Sequence, residues 1–408
     1  MARALVIGGS LGGLFAGLLL RQAGWHVTVF ERSSGDLAGR GAGIGTHVEQ
    51  FEVMRRLGIA VDDTIGVPTT ARICLDHYGK VIARLPFEKI LSSWALFYRA
   101  LRQHLPDACY RAGMQLDDVA QDANGVRALF AGGAVEEGEL LIGADGLYST
   151  VRSRVLGGAQ PRYAGYVAWR GVIEENELPR MAERELRDNY VFYLPPREMV
   201  LAYWQPGGDD DPRPGRRRLN WLWYHPYKIE ALADLLTDAS GKHHAAGIPP
   251  PLIRAQAIAA FRAEARALLP PQFIAVTEAT AAPFVQPIFD LESPRVVAGR
   301  VALLGDAAFV ARPHVGAGVS KAALNAAWLA DALTAHPNDI TAALAAYEKR
   351  ALAFGAGLVA RARYLGGYLE DPPRAGMPPE PLKMMQAIGA PLREIPDVAA
   401  KIFTYAKA

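Results

Sequence analysis

The opening of the chain alternates between apolar runs and glycines in an order typical of a strand, a tight turn, a helix and a second strand. A short aliphatic run at residues 4–7 leads into Gly8. Apolar side chains then recur at helical spacing between Leu11 and Gly24, and a second apolar run ends at Glu31. This pattern predicts a β-α-β unit with a glycine-rich turn where the first strand meets the helix.

The middle of the chain has a different pattern. Aromatic and β-branched runs, separated by clusters of Pro, Gly and Asp, occupy residues 163–172, 190–194, 199–204 and 219–224. Such runs predict an antiparallel sheet. From Val296 the pattern of strand, glycine loop and helix returns, with an Ala-rich helix beginning near Lys321.

The two patterns together predict an α/β fold in which a β-sheet domain interrupts a Rossmann-like domain. We assign the Rossmann-like domain to residues 1–70, 96–160 and 285–365. The antiparallel domain, a candidate for substrate binding, then comprises residues 71–95 and 161–284. The C-terminal residues 366–408 are predicted to form a Pro-rich linker and a terminal helix, and the part after Pro381 is a candidate contact for a homodimer.

Composition narrows the function classes. The 408 residues are 50% hydrophobic, and 44 basic against 42 acidic residues give a net charge of +2. This charge gives no reason to expect nucleic acid or a stable membrane association. Cys74 and Cys109 cannot form a disulfide framework or a structural zinc site, so no metal is expected. Glycines interrupt the first apolar run, which argues against a signal or membrane span and predicts a cytoplasmic protein.

The turn at Gly8 has the chemistry of a phosphate site. A pyrophosphate rests on the amides of a helix N-terminus only where the backbone carries little side chain, which explains Gly8 and Gly13. Ser10 stands where the usual pattern has its middle glycine, so its hydroxyl must tolerate or bind a phosphate. Glu31 follows at about the 20-residue distance of a ribose-binding acid. We therefore assign dinucleotide binding to Gly8, Ser10, Leu11, Gly13, Glu31 and Arg32.

Two further motifs lie far along the chain. One is the segment 140–152, which contains Asp145-Gly146, and the other combines Gly305-Asp306 with the loop from Arg312 to Gly318. With the opening turn, these motifs resemble the FAD-dependent single-component aromatic hydroxylases related to para-hydroxybenzoate hydroxylase. The resemblance extends over most of residues 1–365.

The resemblance implies that FAD binds to the Rossmann-like domain. It implies that Asp145 and Gly146 lie beside the pyrophosphate, that Asp306 holds the ribityl chain and that Arg99 contacts the flavin. The cofactor residues that it further implies are Gly43, Pro313, Gly316 and Gly318. Apart from the resemblance, Gly316 and Gly318 would expose amides at the start of a helix, where partial positive charge stabilises reduced flavin.

The reaction implied by the resemblance is hydroxylation of an electron-rich ring through a flavin hydroperoxide, with NADH or NADPH and O2 as co-substrates. A base with a pKa near the working pH would help the ring hydroxyl to lose its proton. The candidates are His47, His225 and His314. We select His314 as the base and expect Tyr224 and His225 to line the substrate pocket.

Several positions depart from the common family pattern, among them Ser10, Phe309, Ser320 and Asn325. Ser10, the strands around Trp169 and Trp221, and the loop at Arg312 resemble the branch that contains 2,6-dihydroxypyridine 3-hydroxylase. That branch implies a small hydroxylated aromatic or N-heteroaromatic substrate.

Other functions stay open on the sequence alone. A flavin reductase or saturase would move hydride without using O2, and a Rossmann-type sensor would bind a dinucleotide without catalysis. The run from Trp221 to Pro226 approaches the signature of flavin-dependent halogenases but lacks its isoleucine. Trp221 and Trp223 share one face of a strand, so sheet packing accounts for both.

Overall fold

In the computed structural model of the protein, the described residues are 2–39, 43–157, 159–245, 247–370 and 381–390, with Leu392 and Val398. The glycine-rich loop 39–45 is therefore described only in part, and the Pro-rich run 371–380 lies outside the described residues. No helix in the described part of the chain is long and apolar enough to cross a membrane.

Strands and helices alternate along most of the chain. The strands are β1 (Arg3–Ile7), β2 (His26–Glu31), β3 (Gly43–Gly45), β4 (Val67–Leu75), β5 (Val81–Ser93), β6 (Tyr110–Ala112), β7 (Leu116–Gln121), β8 (Val126–Phe130), β9 (Val135–Gly138), β10 (Leu140–Gly143), β11 (Arg162–Glu174), β12 (Asn189–Tyr193), β13 (Met199–Gln205), β14 (Arg218–Pro226), β15 (Phe284–Glu292), β16 (Val297–Ala298), β17 (Val301–Leu303) and β18 (Phe309–Val310). The helices are α1 (Leu11–Gln22), α2 (Val48–Arg56), α3 (Trp94–Arg102), α4 (Arg180–Leu186), α5 (Ile229–Leu235), α6 (Ala255–Leu268), α7 (Pro271–Ala279), α8 (Gly318–Ala335), α9 (Ile340–Gly366) and α10 (Pro381–Ala387).

A six-stranded sheet in the order β16-β17-β10-β1-β2-β6 brings the three sequence motifs together. Its strands pair in parallel except at β16, which pairs antiparallel with β17. Because β1, β10 and β17 are parallel neighbours, their carboxyl ends lie at one edge of the sheet. Gly8, Asp145 and Asp306 follow those three ends, so strand order alone places the motifs side by side. Helices α1 and α8 pack against each other next to this edge.

The second sheet has nine strands in the order β18-β15-β11-β14-β13-β12-β4-β5-β3. Neighbouring strands in this sheet are antiparallel except for β4 and β12. These two strands are not consecutive in the chain, and they pair in parallel. One face packs against α5, α6 and α7, and the other face turns toward the loop that precedes α8. The α/β fold with an inserted antiparallel sheet, predicted from the sequence, is confirmed.

The sequence pattern predicts one helix that carries both Arg99 and Leu105, but α3 ends at Arg102 and Leu105 lies beyond it. The C-terminal residues have an intramolecular position. The described residues 381–390 include the predicted terminal helix and pack against the chain's own nine-stranded sheet. The dimer contact expected there stays a prediction.

Candidate active site

The turn after β1 has no room for side chains at two glycines. A Cβ on Gly8 would lie 2.4 Å from the carbonyl oxygen of Ala144, and Gly8 has a φ of +108°. A Cβ on Gly13 would lie 1.8 Å from the carbonyl oxygen of Gly8. The positive φ and the nearby backbone of Ala144 therefore require glycine at position 8, and the close approach of α1 to the end of β1 requires glycine at position 13.

The N-terminus of α1 is open to a ligand. Ser10 is the N-cap residue, and its side chain makes no capping hydrogen bond. The first amides of the helix therefore keep their hydrogen-bonding capacity and their partial positive charge. Glu31 lies beside this turn and accepts hydrogen bonds from the amides of Gly9 and Ser33, at 2.8 and 2.9 Å. Each carboxylate oxygen retains capacity for a further donor, such as a ribose hydroxyl.

A groove of about 480 Å³ extends from this turn along the edge of the six-stranded sheet. We call it the cofactor groove. The predicted cofactor residues that line it are Gly8, Ser10, Leu11, Glu31, Arg32, Asp145, Gly146, Asp306 and Gly318. Further lining residues that the sequence interpretation missed include Trp94, Met114, Thr150, Leu304 and Val319.

The carboxylate of Asp145 is hydrogen-bonded to residues of the loop that follows it. Its carboxylate accepts hydrogen bonds from the Ser149 hydroxyl at 2.5 Å and from the Val151 amide at 3.1 Å. Removal from water raises the pKa of Asp145. Arg152, from the same motif, donates from Nη1 to the carbonyl oxygen of Ala307 at 2.8 Å. This hydrogen bond fixes the second motif to the third.

Asp306 pairs with a buried lysine. Nζ of Lys321 donates to Oδ1 of Asp306 at 2.6 Å and also to the carbonyl oxygen of Phe309. The Lys321 side chain is 1% exposed, whereas that of Asp306 is 56% exposed. The lysine therefore fixes the aspartate from its buried side, and much of the Asp306 carboxylate stays accessible to a ligand.

A second cavity of about 380 Å³ lies between the nine-stranded sheet and the loop before α8. We call it the ring chamber. Its lining includes Gly43, Tyr224, Pro313, His314 and Gly316 of the predicted site. Asp306, Gly318 and Val319 line both the ring chamber and the cofactor groove. The two cavities therefore meet at the N-terminus of α8.

The two connected cavities fit FAD. The glycine turn and the uncapped N-terminus of α1 can accept a pyrophosphate, and Glu31 lies where a ribose would follow. At the other end, Ala317 caps α8 without a side-chain hydrogen bond, so the amides of α8 can face the flavin. The junction at Asp306 separates these ends, as the ribityl chain requires.

His314 is buried and hydrogen-bonded within the wall of the ring chamber. Its Nε2 lies 2.7 Å from the hydroxyl of Tyr166. Burial, together with the charge of Arg312, lowers the pKa of His314 to about 3. Burial also raises the pKa of Tyr166, so the tyrosine stays protonated in its hydrogen bond with the neutral imidazole. A neutral imidazole with so low a pKa does not match the base near neutral pH that the sequence suggested.

The position of His225 corrects the sequence interpretation. His225 lies on the opposite face of β14 from Tyr224, because successive side chains of a strand alternate between faces. Its Nδ1 is 3.2 Å from Oε1 of Glu198 and its ring contacts Trp223 edge-on. It therefore belongs to the helix-covered face and not to the lining of the ring chamber. On that face Trp221 and Trp223 pack against Phe261, as sheet packing predicted.

Arg99 lies outside the linings of both cavities. Its Nε donates to Oδ2 of Asp210 at 2.6 Å, and the two side chains form a second, shorter contact. This ion pair joins α3 to the acidic loop after β13. A contact between Arg99 and the flavin stays a prediction.

The sequence interpretation missed most of the polar lining of the ring chamber. These residues are Lys89, Arg170, Tyr190, Tyr203 and Gln286. They come from five strands of the nine-stranded sheet, and none belongs to a local motif. The aromatic and polar residues of β11 and β13 were the available signal, but they did not indicate which face meets the cofactor.

Comparisons with known proteins agree with this geometry. A family profile described as FAD binding domain-like matches residues 163–290. The chain is 32% identical over 398 residues to 2,6-dihydroxypyridine 3-monooxygenase of Paenarthrobacter nicotinovorans, covering 97% of this chain and 98% of that protein. It is 29% identical over 344 residues to 6-hydroxynicotinate 3-monooxygenase of Bordetella bronchiseptica, covering 80% and 81% of the two chains.

A solved structure, that of 2,6-dihydroxypyridine-3-hydroxylase from Arthrobacter nicotinovorans, matches with a TM-score of 0.87 at 30% identity over 95% of this chain and 96% of that chain. The family resemblance inferred from the motifs is confirmed, and the relatives favour hydroxylation over the reductase, sensor and halogenase alternatives. The chain belongs to the family of FAD-dependent aromatic monooxygenases, enzymes that use FAD, NAD(P)H and O2.

Proposed function

We propose that this monooxygenase hydroxylates a small, hydroxylated N-heteroaromatic ring bound in the ring chamber. The chamber joins the cofactor groove at Asp306, Gly318 and Val319, and among apolar side chains its lining carries tyrosine hydroxyls, cationic side chains and the amide of Gln286. This combination is the observation that carries the proposal. The names of two relatives, which act on a dihydroxypyridine and on hydroxynicotinate, support the same substrate class.

Three tyrosines supply hydrogen-bond donors to such a ring. Tyr190, Tyr203 and Tyr224 all line the chamber, and each is less than one tenth exposed. Burial raises the pKa of all three, to about 12 for Tyr190, so their hydroxyls stay protonated. Within the described ranges, none of these hydroxyls is hydrogen-bonded to another residue. A ring with several oxygen or nitrogen acceptors would satisfy them.

Arg170 supports the binding of the ring as an anion. Its Nη1 donates to Oε1 of Gln286 at 3.1 Å, and both residues line the chamber. A cation in the chamber lining favours the ionised form of a ring hydroxyl, which is the better nucleophile. We therefore propose that Arg170 lowers the pKa of the ring hydroxyl, so that the proton is released to solvent and no histidine base has to accept it.

His314 and Tyr224 keep proposed roles as contact residues. The ring of Tyr224 meets that of His314 edge-on at 4.7 Å between centroids. Bound FAD would supply the activation of O2. The residues around it would hold the ring in place and exclude water, and the neutral His314 would serve as a fixed hydrogen-bonding group.

A substrate screen tests the proposed class. Purified holoenzyme is mixed with NADH or NADPH and a panel of dihydroxypyridines, hydroxynicotinates, hydroxybenzoates and simple phenols, and nicotinamide oxidation and ring products are followed. We expect hydroxylated N-heteroaromatic rings to stimulate oxidation most strongly and to be converted. Stimulation confined to the carbocyclic phenols would contradict the proposal.

The pH dependence of Arg170→Met tests how the ring is ionised. Without the guanidinium, the pKa of the bound ring should rise, so the acid limb of kcat should move to higher pH. One unit of displacement corresponds to about 1.4 kcal/mol of lost stabilisation of the anion. Arg154→Met, on an exposed residue near Asp118, serves as the matched control. An unchanged pH profile in Arg170→Met would remove the arginine from this role.

A further inference from the structure

We propose that the C-terminal residues 381–390 form a wall of the ring chamber and that Ile388 limits the size of the ring that is accepted. This inference deepens the proposed function and rests on it. Ile388 and Gly389 line the chamber, although they lie far along the chain from its other lining residues. No sequence motif distinguishes this segment.

The segment covers apolar surface that would otherwise face water. Met384, Met385 and Ile388 are each at most 2% exposed. They pack into a cluster with residues from the chamber face of the nine-stranded sheet, including Tyr190, Leu201, Tyr203, Leu222 and Tyr224. Burial of these three large apolar side chains stabilises the packing of the segment against this face.

Hydrogen bonds hold the segment at the chamber. The amide of Gly389 donates to the carbonyl oxygen of His314 at 2.8 Å, and Nζ of Lys89 donates to the carbonyl oxygen of Gly389 at 3.0 Å. Nη1 of Arg72 donates to the carbonyl oxygens of Met385 and Gln386, at 2.5 and 2.9 Å. The segment is thus fixed both to the sheet and to the loop that carries His314.

The contact with His314 depends on a close backbone approach. Gly389 has a φ of +58°, and its Cα would lie 3.8 Å from a Cβ placed on Gly316. The chain after α10 can therefore pass directly over the loop that faces the flavin. A ring bound in the chamber would lie between the sheet tyrosines and this crossing.

A wall at this place has a chemical consequence. When a ring is held, one oxygen atom of O2 enters the ring and the other leaves as water. NAD(P)H supplies two of the four electrons for this reduction of O2, and the hydroxylated ring supplies the other two. When the ring is held loosely, the same two electrons reduce O2 to H2O2, and no ring is oxidised. The wall should therefore affect both the selectivity for rings and the share of NAD(P)H that yields product.

The test compares the parent holoenzyme with Ile388→Ala, Arg72→Met and the matched control Leu382→Ala. Leu382 is exposed, belongs to the same short helix and does not line the chamber. In Ile388→Ala we expect the KM for a monocyclic ring to rise about tenfold, because apolar contacts in a pocket are lost. The share of H2O2 should rise, bicyclic rings should be accepted better, and FAD content should equal that of the parent.

Hydrogen exchange gives a readout that does not depend on turnover. In Arg72→Met the amides of residues 384–390 should exchange faster than in the parent, with the same rise in H2O2. Leu382→Ala should match the parent in both measurements. Equal KM, product share and ring selectivity in Ile388→Ala and the parent would overturn the inference.

The two proposals can fail separately. If the parent converts no ring of the panel, the proposed substrate class is wrong. Hydrogen exchange then still tests whether residues 384–390 form a fixed wall. Protection of residues 384–390 in the parent that is lost in Arg72→Met would support the wall. Exchange that is equally fast in both proteins would contradict it.

Discussion

At the scale of single residues, Asp306 occupies the junction of the two cavities. It lines both the cofactor groove and the ring chamber, and Lys321 holds it from the buried side. The Gly-Asp motif could be recognised in the sequence because its residues are adjacent in the chain, and its contact with the ribityl chain stays a prediction. The role of Lys321 could not, because it depends on the first turns of α8 folding back over the motif.

We expect Asp306→Ala to weaken FAD binding by about 2 kcal/mol, or about thirtyfold in Kd, because a hydrogen bond from a ribityl hydroxyl to a charged acceptor is lost. Titration of apoprotein with FAD measures this change. Asp331→Ala is the matched control. Asp331 lies in the C-terminal half of α8, is similarly exposed and forms an ion pair with Arg56 of α2. An unchanged Kd in Asp306→Ala would remove Asp306 from the cofactor site.

His314 should contribute to the loss of stability in acid. Its pKa falls from 6.5 to about 3 on folding, so the unfolded chain takes up this proton first as the pH falls. The contribution of His314 to the free energy of unfolding is therefore fully present above pH 6.5. It decreases as the pH falls from 6.5 to about 3, by up to about 1.4 kcal/mol per pH unit.

Denaturant unfolding across this window should therefore show a shallower decrease for His314→Gln than for the parent. His336→Gln, at an exposed histidine after α8, is the control and should follow the parent. Equal slopes for His314→Gln and the parent would contradict the burial of a neutral imidazole.

At the scale of elements, β14 divides its side chains between the ring chamber and the helix-covered face. Tyr224 faces the ring chamber, whereas Trp223 faces the helices and donates from Nε1 to Oε2 of Glu198 at 2.6 Å. The sequence predicted this strand and its alternation. It could not indicate which face meets the cofactor, because aromatic side chains stand on both faces, and this explains the correction for His225.

Matched substitutions on this strand should separate the two roles. Tyr224→Phe should raise KM about fivefold through loss of one hydrogen bond of about 1 kcal/mol, with little change in the free energy of unfolding. Trp223→Phe should lower the free energy of unfolding by about 2 kcal/mol, because Glu198 loses its buried donor, and should leave KM unchanged. A raised KM in Trp223→Phe together with a lowered free energy of unfolding in Tyr224→Phe would contradict this assignment of the two faces.

At the scale of the whole molecule, local motifs could be predicted and the ring chamber could not. Gly8, Asp145 and Asp306 each follow a parallel strand, so a short segment of sequence indicates each one. Lys89 and Gly389 meet only because the C-terminal segment crosses the nine-stranded sheet. No periodicity within a segment encodes that contact, which depends on the packing of distant parts of the chain.

The most direct test of the account is the origin of the oxygen in the product. Holoenzyme, NAD(P)H and a dihydroxypyridine are incubated under isotopically labelled O2, and the ring product is analysed by mass spectrometry. We expect one labelled oxygen atom in each hydroxylated ring, formed in proportion to the NAD(P)H consumed. A product without the label, or equal conversion under strict anaerobiosis, would contradict the assignment as a monooxygenase.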